Sequence, residues 1–149
     1  MIREDRDPAF WSATYEHPDV KPHVGLGQSL DVAAIVADPR VTPLAAEHGG
    51  FLFVQLDELG RVFELHTMFT PEGWGREVLL AAKAAFSEMF VRGADVIVTH
   101  EVKGNPRSQP PISFRFRAAG DFAPALGAAL RTWTLTRTAW AQSPALARM

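Results

Sequence analysis

The hydrophobic pattern changes period three times between residues 51 and 102. Phe51-Leu52-Phe53-Val54-Gln55-Leu56 is a near-continuous apolar run, rich in aromatic and β-branched residues, and predicts a buried strand. Asp57-Glu58-Leu59-Gly60 is turn chemistry. Arg61 to Phe69 alternates, with Val62, Glu64, His66 and Met68 on one face and Phe63, Leu65, Thr67 and Phe69 on the other. The two runs predict a β-hairpin. From Arg76 to Val91 the period becomes 3.6, and Val78, Leu79, Ala82, Ala85, Phe86, Met89 and Phe90 form a stripe expected to be core. Gly93 suits the left-handed position that ends a helix. Asp95 to Val102 reads as a third strand. A helix crossing over between the second and third strands makes that pair parallel.

The flanks are less regular. Met1 to Gly27 carries Pro8, Pro18 and Pro22, and its aromatics Phe10, Trp11 and Tyr15 predict a short helix or turn packed on the body. Ser29 or Asp31 can cap a helix over Val32 to Ala37, with a strand as the competing reading, and Asp38-Pro39-Arg40 stops that element. Val41 to His48 reads as a second short helix ended by Gly49-Gly50. Lys103 to Pro111 is a loop, and Ile112 to Ala119 a short helix carrying Phe114 and Phe116, broken by Gly120-Asp121. Phe122 to Leu130 fits helix or strand, Arg131 to Arg137 alternates as a late strand, and Thr138 to Met149 reads as a tail.

Composition narrows the class. A chain of 149 residues, 47% hydrophobic and 21% charged, is expected to form one globular domain. A net charge of -2 argues against a nucleic-acid partner held by a broad basic field, although Arg107, Arg115 and Arg117 can make a local patch. With no cysteine, disulfides, thiolate zinc sites and a cysteine nucleophile are excluded. The charged start leads into no apolar segment of a secretory signal, and no run approaches a membrane span. No membrane partner is expected, and the cytoplasm is the expected location.

Thr70-Pro71-Glu72-Gly73-Trp74-Gly75 joins the second strand to the long helix. A glycine-containing loop at a helix N-terminus can hold an anion, because the first backbone N–H groups have no internal partner and the dipole is positive there. Arg76 adds charge. The glycine and lysine spacing fits neither a Walker A loop nor a dinucleotide fingerprint. The alternative is that the glycines only make a tight strand-to-helix turn.

From Gly50 to about Phe122 the chain resembles the GCN5-related N-acetyltransferases (GNAT). The matching pieces are the strand ending in Met68-Phe69, the run Pro71-Glu72-Gly73-Trp74-Gly75-Arg76, the helix after it, and the strand from Asp95 to Glu101. Asn105 and then Phe116 to Phe122 match the family's later asparagine and Gly-Phe ending, and Trp133 to Trp140 its aromatic close. The resemblance implies an α+β three-layer fold, a mixed central sheet with helices on both faces. It implies acetyl-CoA as co-substrate, bound by Met68, Phe69, Gly73, Trp74, Gly75, Arg76 and Asn105. It implies a small-molecule or peptide amine as acceptor. The loop departs from the family pattern: counted from Pro71, Trp74 stands at the Gln/Arg position, and Glu77 and Leu79 at the small positions. Phe116 stands where the family often has a tyrosine acid. These departures suit an alternative, a binding or assembly protein that keeps the fold without transfer, as in some phage and prophage proteins resembling the family.

Glu64 and His66 share a strand face leading into the loop, and either could take the proton of an attacking amine. Solvated positions on a sheet face are the alternative for both. His100 and Glu101 end the third strand and could be a base or substrate contacts. No His-x-x-x-His spacing supports a metal, and none is expected. His17, His23 and His48 read as incidental loop residues, and Ser108 and Ser113 have no His–Asp arrangement for a hydrolase. Phe- and Trp-rich segments at both ends leave room for a homodimer.

Overall fold

The computed structural model describes residues 1–24, 29–102, 110–111, 114–122 and 130–146. In chain order the elements are β1 (Arg3–Glu4), α1 (Pro8–Glu16), α2 (Val32–Ala37), β2 (Val41–Ala46), β3 (Gly49–Gln55), β4 (Val62–Phe69), α3 (Arg76–Val91), β5 (Val96–Val102), β6 (Arg117–Phe122), β7 (Leu130–Thr136) and α4 (Arg137–Ala141). One sheet holds all seven strands in the order β1-β2-β3-β4-β5-β7-β6. Every neighbouring pair is antiparallel except β4 and β5, which are parallel as the crossover requires.

Helices cover both faces, giving a three-layer α+β fold. On one face Phe86 of α3 is the hub, with its ring edge-on to Phe53, Phe114, Phe116 and Trp140. On the other face Trp11 and Tyr15 of α1 and Val32 and Val36 of α2 pack over Val41, Leu52 and Met68. Asp7 caps α1 through the N–H of Ala9, Pro8 occupies the first turn, and Asp31 caps α2 through the N–H of Ala34. Gly50 lets Trp11 lie directly on the sheet, since a Cβ there would meet the indole at 2.6 Å. Arg6 ties the two layers by donating to the carbonyls of Val36, Asp38 and Val41.

Four expectations are corrected. Val41 to His48 is not a helix: it is β2, and Glu47-His48 is the turn into β3. Both faces of β2 are covered, so Val41, Pro43, Leu44, Ala45 and Ala46 are all buried and the period-2 signature is absent. Ile112 to Ala119 is not a helix either, because 117–122 form the edge strand β6, bulged between Ala118 and Gly120 (residues 112–113 lie outside those described). The stretch after Thr138 is not merely a tail, because α4 delivers Trp140 into the core at 3% exposure. Leu79 is not core. It is 43% exposed, while Ala81, Ala82, Ala85, Phe86, Met89 and Phe90 carry the buried stripe.

Candidate functional site

The parallel pairing of β4 and β5 is short. It runs through Val62–Val96, Phe63–Ile97 and Glu64–Val98 and then stops, although β4 continues to Phe69 and β5 to Val102. The strands therefore splay beyond Glu64. Backbone groups point alternately to the two sides of a strand. The Leu65 carbonyl accepts from the Thr99 hydroxyl at 3.4 Å across the gap, so Leu65, Thr67 and Phe69 turn their backbones into the splay. Leu65 and Thr67 escape a motif search, because a backbone contact leaves no mark on residue type.

Three titratable side chains gather at the base of this opening. Glu64 and His66 lie on β4 and His100 on β5, on the face that carries α1 and α2. His66 Nε2 lies 2.5 Å from Glu64 Oε1, and His100 Nε2 lies 3.3 Å from Glu64 Oε2. Hydrogen bonds from His100 and His66 outweigh the cost of partial burial and hold the Glu64 carboxyl well below the usual carboxylate range. A carboxylate only accepts, so both imidazoles present Nε2–H to it. His66 Nδ1 is then left as a basic lone pair on a side chain 41% exposed. His100 Nδ1 contacts the Thr132 hydroxyl at 3.2 Å.

The loop begins four residues beyond His66, about 13 Å at the rise of a strand. Its residues divide by role. Gly73 is buried, and a Cβ there would meet the Phe69 ring at 2.8 Å and Glu77 Oε2 at 2.9 Å, so its smallness serves packing. Gly75 is exposed at φ +88° with nothing near a would-be Cβ, and it is the N-cap of α3 without a side-chain cap. Its peptide and those of the first helical turn are open to an anion. Arg76 is the exposed first residue of α3. Trp74 is 40% exposed and its indole N–H donates to the Phe69 carbonyl at 3.0 Å, which holds the ring beside the loop. The Phe69 side chain is core, leaving its backbone toward the opening. Met68 turns away on both counts: its side chain is buried under α1 and its backbone faces β3. Asn105 lies outside the described residues. Phe116 packs edge-on against Phe86.

His48 is not incidental. Its backbone N–H and its ring Nδ1 both lie 2.8 Å from the Glu77 carboxylate, and Nε2 lies 3.2 Å from Glu72. The hydrogen bond to Glu77 raises the imidazole's affinity for its proton. The His48 carbonyl in turn accepts from the Thr70 N–H at 2.9 Å. The β2–β3 turn thus clamps both ends of the loop. Contacts over 29 residues of chain gave no sequence signal. Glu47, His48 and Glu77 also bring one ligand atom each within 4.8 Å of one another, but a cation there would have to break the hydrogen bonds just described.

No family model and no curated protein matches the sequence. Solved structures do match in shape. A GNAT-family protein from Chromobacterium violaceum superposes with a TM-score of 0.74 at 15% identity, covering 94% of this chain and 88% of its own. A chimera of the spermidine N-acetyltransferase SpeG from Vibrio cholerae and hSSAT gives 0.72 at 13% identity, covering 95% and 97%. The protein yncA from Salmonella typhimurium, solved with acetyl-CoA as its cofactor, gives 0.69 at 18% identity, covering 91% and 92%. The fold is that of the GNAT acetyltransferases. Within the GNAT fold the splay, the loop and the His66–Glu64–His100 group lie on adjoining stretches of β4, β5 and α3. Among the described residues no helix is long and apolar enough to cross a membrane.

Proposed function

We propose that this chain is a single-domain N-acyltransferase that uses acetyl-CoA as co-substrate and a small-molecule or peptide amine as acceptor. The observation that carries the reading is the splay of β4 from β5 with a hydrogen-bonded imidazole–carboxylate pair at its base. The fold likeness supports it, including a neighbour solved with acetyl-CoA and others named for transfer to spermidine and to aminoglycosides. Acetyl-CoA would supply an activated acyl thioester. The open peptides at Gly75 and Arg76 fit its pyrophosphate, and the inward backbones of Leu65, Thr67 and Phe69 fit its amide-bearing arm. His66 would take the proton of the amine at Nδ1, as a general base. Glu64 is the weaker candidate for that role. A carboxylate held ionised by two imidazoles is a poor proton acceptor, and it serves better by fixing the His66 tautomer.

A second reading has its own observation. Glu72 and Glu77 stand at the loop where a pyrophosphate would bind, although His48 offsets part of their charge. This favours a binding or assembly protein that has kept the fold and lost the coenzyme. Calorimetric titration with acetyl-CoA separates the two. The transferase reading requires saturable binding below millimolar coenzyme. A flat titration at millimolar concentration overturns it.

A further inference from the structure

The proposed reaction needs a proton for the departing sulfur, and Phe116, packed against Phe86, cannot give one. The structure offers another group. Glu64 pairs with Val98, so the next residues on the same face are His66 on β4 and His100 on β5, and there the strands have parted. The two imidazoles flank the opening from opposite strands with one carboxylate between them. Their contacts with it are unequal. His66 holds Glu64 at 2.5 Å, while His100 reaches it at 3.3 Å, longer than the usual 2.7–2.9 Å of a charge-assisted hydrogen bond. His66 makes the shorter contact with the carboxylate, while His100 divides its ring between Glu64 at Nε2 and the Thr132 hydroxyl at Nδ1.

We propose, resting on the transferase reading, that His100 is the catalytic acid of this site and delivers a proton from Nε2 to the sulfur as the thioester breaks. The balance is simple. The amine nitrogen bonds to the acyl carbon and loses one proton, which His66 takes at Nδ1. The carbon–sulfur bond breaks, its electron pair goes to sulfur, and His100 protonates that sulfur. Positive charge passes from His100 to His66, and Glu64 lies against both, so the carboxylate offsets the imidazolium before and after the step. Thr132, on β7, supports His100 Nδ1 from behind.

The surroundings suit this role. The β4 groups facing His100 are Glu64 and His66, and its own neighbours on that face of β5 are Val98 and Val102. Across β7 and β6 the same row continues as Thr132 and Gly120, and the next charged residue on the face is Arg117, paired with Thr134. From α1, Tyr15 is buried over Met68 with its hydroxyl accepting from the Leu30 N–H.

The test compares wild type, His66→Gln and His100→Gln, each first checked for a cooperative melt. With acetyl-CoA, His100→Gln should lose about 10²-fold in kcat. The alkaline limb of its kcat/KM profile should also disappear, while His66→Gln should lose the acid limb. With an acetyl thioester of an acidic aryl thiol, whose thiolate leaves without a proton, the His100→Gln deficit should close and that of His66→Gln should not. A His100→Gln enzyme that keeps its alkaline limb, or is equally impaired with both donors, overturns the proposal. Histidine ring ¹⁵N spectra of the free protein give a readout apart from activity: Glu64→Gln should move the signals of both His66 and His100. Movement of His66 alone overturns the shared carboxylate. A wild-type protein that binds no acetyl-CoA overturns the transferase reading and the acid role with it, while the spectra still decide whether the two rings share Glu64.

Discussion

Glu77 accepts two hydrogen bonds from His48, one from the backbone N–H and one from ring Nδ1, both at 2.8 Å, and so locks the β2–β3 turn onto the first turn of α3. The pairing sets a pH window. The His48 imidazole is raised above its ordinary 6.5 by the Glu77 hydrogen bond, so its contribution is complete below that value and fades as pH rises through the raised one. Burial pushes Glu77 up, but the hydrogen bonds from His48 outweigh it and the carboxyl ends below its ordinary 4.5. Its contribution is complete above 4.5 and fades in acid. The pair therefore stabilises most between about pH 5 and pH 6. Glu77→Gln should lower Tm more at pH 5.5 than at pH 9. Equal losses at the two pH values would show that the imidazole charge plays no part.

Glu64 gives a second, separate window. Its folded pKa is depressed by His100 and His66, so its stabilisation is full above 4.5 and is lost only as pH falls through the lower folded value. The carboxylate is half-buried, and Glu64→Gln should cost about 1–2 kcal/mol at pH 7. Urea midpoints taken from pH 7 down to pH 2.5 should show wild type and variant converging only below pH 4.5. Convergence already at pH 6 would mean that the histidines do not hold the carboxylate.

Strand β4 and the long helix were legible because each buries one face, so burial wrote a period into the residues, while β3 and β5 were legible from their aromatic and β-branched residues. Val41 to Ala46 was not legible, since a strand covered by α1 and α2 on one side and α3 on the other has no polar face to alternate with. Edge strand β6 failed for the opposite reason: Arg117, Ala118, Ala119, Gly120 and Asp121 are all exposed. At the site, Glu64 and His66 could be paired from alternation alone. His100 could be placed only at a strand end, because its 3.3 Å contact with Glu64 depends on where β4 and β5 part. His48 and Glu77 meet through the register of β2 with β3 and the docking of α3, which no local pattern encodes.

Gly73 and Gly75 are two residues apart and should fail differently. Gly73→Ala forces a methyl against the Phe69 ring and the Glu77 carboxylate, and should cost about 1–3 kcal/mol in denaturant melts. Gly75→Glu meets no atom within 4 Å, so its structural cost is that of a side chain at φ +88° and ψ −114°, about 1–3 kcal/mol. Its larger effect should be on ligand binding, with acetyl-CoA affinity abolished by negative charge at the open peptides. Unchanged affinity in a folded Gly75→Glu protein would remove this loop from the coenzyme site.

The contrast between Trp140 and Trp74 tests which aromatics build the fold. Trp140 is 3% exposed and stacks edge-on against both Phe86 and Phe114, with its indole N–H on Ser87 Oγ at 3.3 Å. Truncating Phe86 or Trp140 to Ala should each cost about 3–5 kcal/mol, a large share of the 5–15 kcal/mol available to a domain. Because the two rings touch, the double variant should lose about 1 kcal/mol or more less than the sum. Trp74, 40% exposed with its indole N–H on the Phe69 carbonyl, should lose only about 1 kcal/mol as Trp74→Ala. Strict additivity at Phe86 and Trp140 would mean that α4 docks without that ring contact.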